Sequence, residues 1–146
     1  MLTKKQIHAR YAVAIATAPA FCVLYAKLFG YSAESIFWLF DDTRSLIFLI
    51  ILYPIIEELA FRGLIQSFIS AKTKHAEFFW GITWANILTS VLFALMHLVY
   101  HTPIWAILVF FPSLIFGYFK DKYDIVLPSI FLHMFYNLCF FSIVGN

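Results

Sequence analysis

Six side chains in this sequence stand where lipid would be expected around them. Glu57, Glu58 and Arg62 lie in YPIIEELAFRG, His97 ends FALMH, and His133 and Asn137 lie in HMFYN. A charged side chain at the centre of a membrane helix costs about 2.5–3.5 kcal/mol on insertion scales, so such groups normally face an aqueous cavity or one another. For any one of them, polar glue between helices is the bland explanation. For carboxylates, imidazoles and an amide spread over three apolar segments, catalysis is the better one. Such groups take up and return protons, and they donate hydrogen bonds to developing charge.

Spacing separates structural members from chemical ones. Glu58 and Arg62 are four apart on one helical stripe, close enough to pair. Glu57 points about a quarter-turn away, so an ion pair accounts for Glu58 and Arg62 and leaves Glu57 unexplained. Pro54 removes an N–H one turn upstream and is expected to kink the helix. Asn86, Ser90, Phe93 and His97 form a second stripe, expected to face the bundle interior. His97 and His101 have the spacing of the histidines in an HExxH zinc helix. The residues between them are LVY, without the glutamate, and His101 abuts Thr102-Pro103, so a loop residue is the better reading of His101. His133 and Asn137, again four apart, share one face. Ser113-xxx-Gly117 reads as close helix packing, and Thr83, Asn86 and Thr89 as polar contacts between helices. His8 and His75 belong to basic inner loops and need no role.

The elements that must position these residues are membrane helices. The chain is 63% hydrophobic and 12% charged, with a mean hydropathy of +0.87, far from the balance of a soluble domain. A formal net charge of +2 gives no support to a nucleic-acid partner. Apolar segments run over 11–29, 45–71, 78–100, 103–119 and 125–144, each near the ~20 residues that cross a bilayer as a helix. They do not alternate as barrel strands do. The expected fold class is therefore all-α: a polytopic membrane bundle of about five transmembrane helices in a single domain over 1–146. Five crossings put the N-terminal tail, loop 72–77 and loop 120–124 on one side. That side carries Lys4, Lys5, Arg10, Lys72, Lys74, Lys120 and Lys122, against Lys27 and Arg44 on the other. The positive-inside rule then gives N-terminus in and C-terminus out.

Three smaller features complete the reading. Loop 30–44, GYSAESIFWLFDDTR, has a SIFWLF core that suits a short interfacial helix anchored by Trp38, or ordinary loop hydrophobicity equally well. Ala18-Pro19-Ala20 faintly resembles a signal-peptide cleavage site, but the apolar run continues past it, so an uncleaved first helix is expected. Cys22 and Cys139 lack CxxC spacing and read as small buried hydrophobes.

Taken in order, the motifs resemble those of the CPBP family of intramembrane proteases, which includes the type II CAAX prenyl endopeptidases. EExxxR stands as Glu57-Glu58-Leu59-Ala60-Phe61-Arg62, FxxxH as Phe93-Ala94-Leu95-Met96-His97, and HxxxN as His133-Met134-Phe135-Tyr136-Asn137. EExxxR alone is a weak signal; the ordered set on three expected helices is specific. The resemblance implies a membrane endopeptidase with a cavity inside the bilayer, acting on membrane-embedded or C-terminally anchored polypeptides. It implies Glu57 as general base, His97 as holder of the attacking water, and His133 and Asn137 as oxyanion donors, with Glu58, Arg62 and Phe93 in support. The chain is short for the family. In this it is similar to small bacterial members paired with C-terminal sorting signals, the JDVT-CTERM type, which implies the bacterial inner membrane.

The family has been described both as metalloproteases and as glutamic proteases. A carboxylate taken out of water is a stronger base than one in water, and two donors on the last helix can meet the oxyanion, so a mechanism without cofactor is expected. The zinc alternative uses Glu57, His97 and His133 as ligands and leaves a fourth position for water. Two other classes compete: a non-enzymatic immunity or interaction protein of the same fold, and a proton- or ion-handling protein. The complete motif set argues against the first, and the lack of repeats against the second. One tension is depth. Glu57 and Asn137 are twelve residues into their segments while His97 is near the end of its own, an offset of about 10 Å, so helix three is displaced or tilted, or its boundaries lie elsewhere.

Overall fold

The computed structural model describes residues 2–30 and 42–144, with side chains as far as Ser142. In order come α1 (Lys4–Phe29), α2 (43–72), β1 (Glu77–Phe79), β2 (Ile82–Thr83), α3 (Trp84–His97), α4 (Pro103–Tyr123) and α5 (Leu127–Val144). The described chain is all-helical apart from one two-stranded antiparallel ribbon, in keeping with a membrane helical bundle. By length and composition, α1 and α4 can each cross a bilayer, whereas α3 and the Leu127–Ser142 part of α5 are shorter apolar helices. The SIFWLF segment and its Trp38 lie outside the described residues.

Several boundaries depart from those expected, each for a local reason. α1 starts at Lys4 because Thr3 and Gln6 form a reciprocal capping box. α4 continues to Tyr123, so Lys120 and Lys122 are helical and not loop residues; Asp124 then ends the helix in the left-handed region, φ 58°. The largest correction concerns 78–100, of which only Trp84–His97 is α-helical. Trp80 and Gly81 have φ of 49° and 85°, the pair of positive angles that a type I′ hairpin turn needs. The Gly81 N–H donates to the Glu77 carboxylate at 2.7 Å, and the Thr83 hydroxyl caps α3 by accepting from the Asn86 N–H. At ~1.5 Å per residue α3 is about 21 Å long, short of a ~30 Å hydrocarbon core.

The chain divides into two compact units. One holds the residues up to Ile55 together with those from Phe131, and so contains α1, the start of α2 and most of α5. Here α1 buries a stripe of small residues, Ala14, Ala18, Cys22 and Ala26, of the kind that lets membrane helices approach closely. Tyr136 of α5 reaches α1 with its hydroxyl, which donates to the Ala14 carbonyl at 2.9 Å. Cys22 and Cys139 are free thiols.

The second unit, Ile56–Ile130, holds the rest of α2, the ribbon, α3 and α4. Its apolar core includes Phe61, Ala85, Phe93, Ala106, Phe116 and Phe119. At the start of α2, Asp42 caps the helix by accepting from the Arg44 and Ser45 N–H groups. The Ser45 hydroxyl and amide hold its carboxyl below the usual carboxylate range.

Candidate active site

α2 is one continuous helical stretch whose winding alternates. Leu46–Leu52 and Leu59–Gln66 are π-helical, and Tyr53–Glu58 between them is α-helical and carries both glutamates. π segments are rare and concentrate at functional sites, and here the pattern has a use. Glu58, Arg62, Gln66 and Ser70 recur every four residues and are 0, 0, 0 and 1% exposed. Four residues overshoot one α-turn by ~40°, and a π-turn, whose bonds reach one residue further, needs more residues. Mixing the two keeps the four-residue polar stripe near one line, where a pure α-helix would wind it around the helix.

The stripe ends in a satisfied network. Arg62 Nε donates to Glu58 Oε2 at 3.2 Å, both fully buried. Its Nη1 donates to Gln66 Oε1 at 3.4 Å and its Nη2 to Ser113 Oγ at 2.7 Å. Gln66 Nε2 donates in turn to the Gly117 carbonyl at 3.0 Å and to Asp121 Oδ1 at 2.8 Å. Thr83 Oγ1 donates to the other Asp121 oxygen at 2.8 Å. Asn86 Nδ2 donates to the Leu114 carbonyl, and Ser90 to Asn86 Oδ1. Gly117 is required because a Cβ there would overlap the Asn86 amide and stand 2.8 Å from Gln66 Oε1. The Ser113-xxx-Gly117 pair, read from sequence as packing alone, is therefore the polar docking face of α4. Gln66 and Asp121 escaped the sequence reading altogether, although the four-residue ladder from Glu58 was the signal for Gln66.

The second motif is joined to the first through Phe93, which is 1% exposed. Its ring meets Phe61 edge-on at 4.9 Å, receives the Arg62 guanidinium 5.5 Å from its centroid, and lies 4.7 Å from the His97 ring. His97 Nδ1 is 2.9 Å from the Phe93 carbonyl. A carbonyl only accepts, so Nδ1 carries the proton and the lone pair of the neutral ring lies on Nε2. His101 stacks on His97 at 5.9 Å from the exposed segment after α3. Glu57 is half-buried, unlike its neighbour Glu58, and projects from another side of the helix.

The third motif belongs to the other unit. His133 is buried. Asn137 Nδ2 donates to the Leu49 carbonyl at 2.9 Å, and the sequence explains why that carbonyl accepts from a side chain. In the first π segment the Tyr53 N–H bonds the Phe48 carbonyl, five residues back. The next bond of that series would run from residue 54 to Leu49, and Pro54 has no N–H. Asn137 supplies the missing donor to the Leu49 carbonyl, and a primary amide carries a second hydrogen.

His97 Nε2 would suit a metal as well as a water. Among the described residues, however, no group of three or more His, Cys, Asp or Glu is arranged to hold a metal ion.

The family model of type II CAAX prenyl endopeptidases, Rce1-like, matches residues 38–139 and so takes in all three motifs. The chain belongs to this family. The Rce1-like family is one of membrane-embedded proteases, which accounts for a sequence that keeps polar and ionisable side chains inside apolar helices. Neither comparison with curated proteins nor comparison with solved structures yields a match.

Proposed function

We propose that the chain is an intramembrane endopeptidase that hydrolyses membrane-anchored or C-terminally sorted, CAAX-like polypeptides by a glutamic mechanism. The observation that carries the reading is the different fate of two adjacent glutamates. Glu58 is locked to Arg62 at 3.2 Å in a fully buried network, while Glu57 is only half-buried on another side of the helix. Glu57 is the base. It takes a proton from a water that His97 helps to hold through Nε2, and the resulting hydroxide attacks the scissile carbonyl. His133 and Asn137 donate to the oxyanion, and the protonated Glu57 returns its proton to the leaving amine as the C–N bond breaks. One water is consumed and no electron pair is left over. No metal enters this sequence. The helices cross the bacterial inner membrane several times, N-terminus in and C-terminus out, with Lys72 and Lys74 on the inner side.

Reconstituted protein offered a panel of C-terminally anchored polypeptides in ¹⁸O-water tests the reading. One ¹⁸O is expected in the new C-terminal carboxylate of the soluble product. Failure to cleave any anchored polypeptide by properly folded protein, or a product without the label, would count against it.

A further inference from the structure

We propose that the β1–β2 hairpin is a membrane anchor that seats Phe78, Phe79 and Trp80 in the headgroup layer of the bilayer. The three side chains are consecutive and exposed to 55, 58 and 79%. Phe79 and Trp80 stack with centroids 5.2 Å apart and planes at 9°, so they present a flat aromatic slab and not two separate rings. Amphipathic aromatic rings concentrate where lipid meets water.

The turn that presents them is built against its own preference. A type I′ turn favours Asn, Asp or Gly at its first central position, and a bulky residue at φ 49° is an outlier. Trp80 is held there by its surroundings. The Glu77 carboxylate clamps the Gly81 N–H, and Lys122 Nζ lies 2.8 Å from where a Gly81 Cβ would stand. A β-bulge between Glu77 and Phe79 turns Phe78 out of the simple alternation. Strain kept at an exposed tip points to a use for the residue that bears it.

The occupant follows from continuity. Phe78 meets Trp84 edge-on at 4.6 Å, and Trp84 opens a stripe of exposed apolar residues along α3, Leu88, Val91, Leu92 and Leu95. In a membrane-embedded family that stripe is covered by acyl chains. The hairpin continues it beyond the first residue of α3, where lipid gives way to headgroups. The exposed Lys72 and Lys74 and the adjacent Lys122 supply cations for lipid phosphates. A helix of about 21 Å cannot span the core unaided, and an interfacial anchor at its start fixes its depth.

The test uses the whole protein with Trp38, Trp84 and Trp105 replaced by Phe, reconstituted in phosphatidylcholine–phosphatidylglycerol vesicles. Trp80 emission should be blue-shifted, and lipids brominated high on the acyl chain should quench it more than deeply brominated ones or aqueous iodide. Because Trp84→Phe touches the hairpin, Trp80→Asn in the otherwise native chain is the second arm. Asparagine suits the turn better, so thermal stability in detergent should hold or rise, while the shallow-bromine quenching of the native protein falls. Quenching by iodide alone, protection from both lipid and water by a second copy or a bound protein, or unchanged quenching in Trp80→Asn would each overturn the proposal.

Discussion

The two π-helical stretches of α2 keep their shape by opposite means. Leu46–Leu52, LIFLIIL, has no polar side chain of its own; the Leu49 carbonyl, which Pro54 cannot serve, accepts from the amide of Asn137. Leu59–Gln66 carries Arg62 and Gln66, which tie it to α4 through Ser113, Gly117 and Asp121. Leu46–Leu52 thus leans on a hydrogen bond from Asn137, and Leu59–Gln66 on a buried network. The first arrangement can be perturbed by one substitution and repaired by another. The second fails as a whole, because each broken link strands a buried polar group.

The largest effect is therefore expected in the second stretch. Arg62→Ala removes the cation paired with the buried Glu58 and should cost about 3–5 kcal/mol, read as unfolding in detergent. The pair Glu58→Leu with Arg62→Met should recover only part of that loss, since it removes the buried charge but still takes a donor from Ser113 and Gln66. Full recovery would mean that the links from Arg62 to Ser113 and Gln66 add nothing to stability.

Gly117→Ala should cost about 1–3 kcal/mol by overpacking, because the new methyl meets the Asn86 and Gln66 amides. Equal stability of this variant and the native chain would remove the network from the account of the second stretch.

The first stretch is tested by a cycle. Asn137→Ala should cost roughly 1–3 kcal/mol by stranding the Leu49 carbonyl. In a Pro54→Ala background the restored N–H can serve that carbonyl, so the same change should cost under about 1 kcal/mol. Activity should not follow stability: if Asn137 also donates to the oxyanion, turnover falls about 10²–10³-fold in both backgrounds. Parallel recovery of activity with stability would reduce Asn137 to a structural role.

The smallest expected effect is that of metal removal. Thorough chelation should leave cleavage unchanged, and purified protein should carry metal well below one per chain. Activity lost to chelators and restored by zinc would make Glu57, His97 and His133 ligands instead.

Much of the helical plan was readable because long apolar runs leave few alternatives to a helix. The ribbon was not, since EFFWGIT is as apolar as the helix after it, and only Trp80-Gly81 and Thr83 mark the break. The start of α1 was announced by Thr3 and Gln6, a signal weaker to the eye than the apolar run at 11–29. At the site, the spacing of Glu58 and Arg62 was enough to suggest their pairing. Gln66 was hidden because a four-residue ladder drifts around an ideal α-helix, and only the π winding keeps it in line. Ser113 and Gly117 suit close packing and polar docking equally, and which applies depends on the arginine and glutamine opposite.

If the adjacent glutamates have separate tasks, as proposed, Glu57→Gln and Glu58→Gln should fail in different ways. In Glu57→Gln, glutamine keeps the shape and removes the proposed base, so turnover of an anchored substrate should fall about 10²–10⁴-fold, the usual contribution of general base catalysis, with an unchanged unfolding temperature. Glu58→Gln, measured beside it, should lose stability first. Native cleavage rates in folded Glu57→Gln would contradict the account.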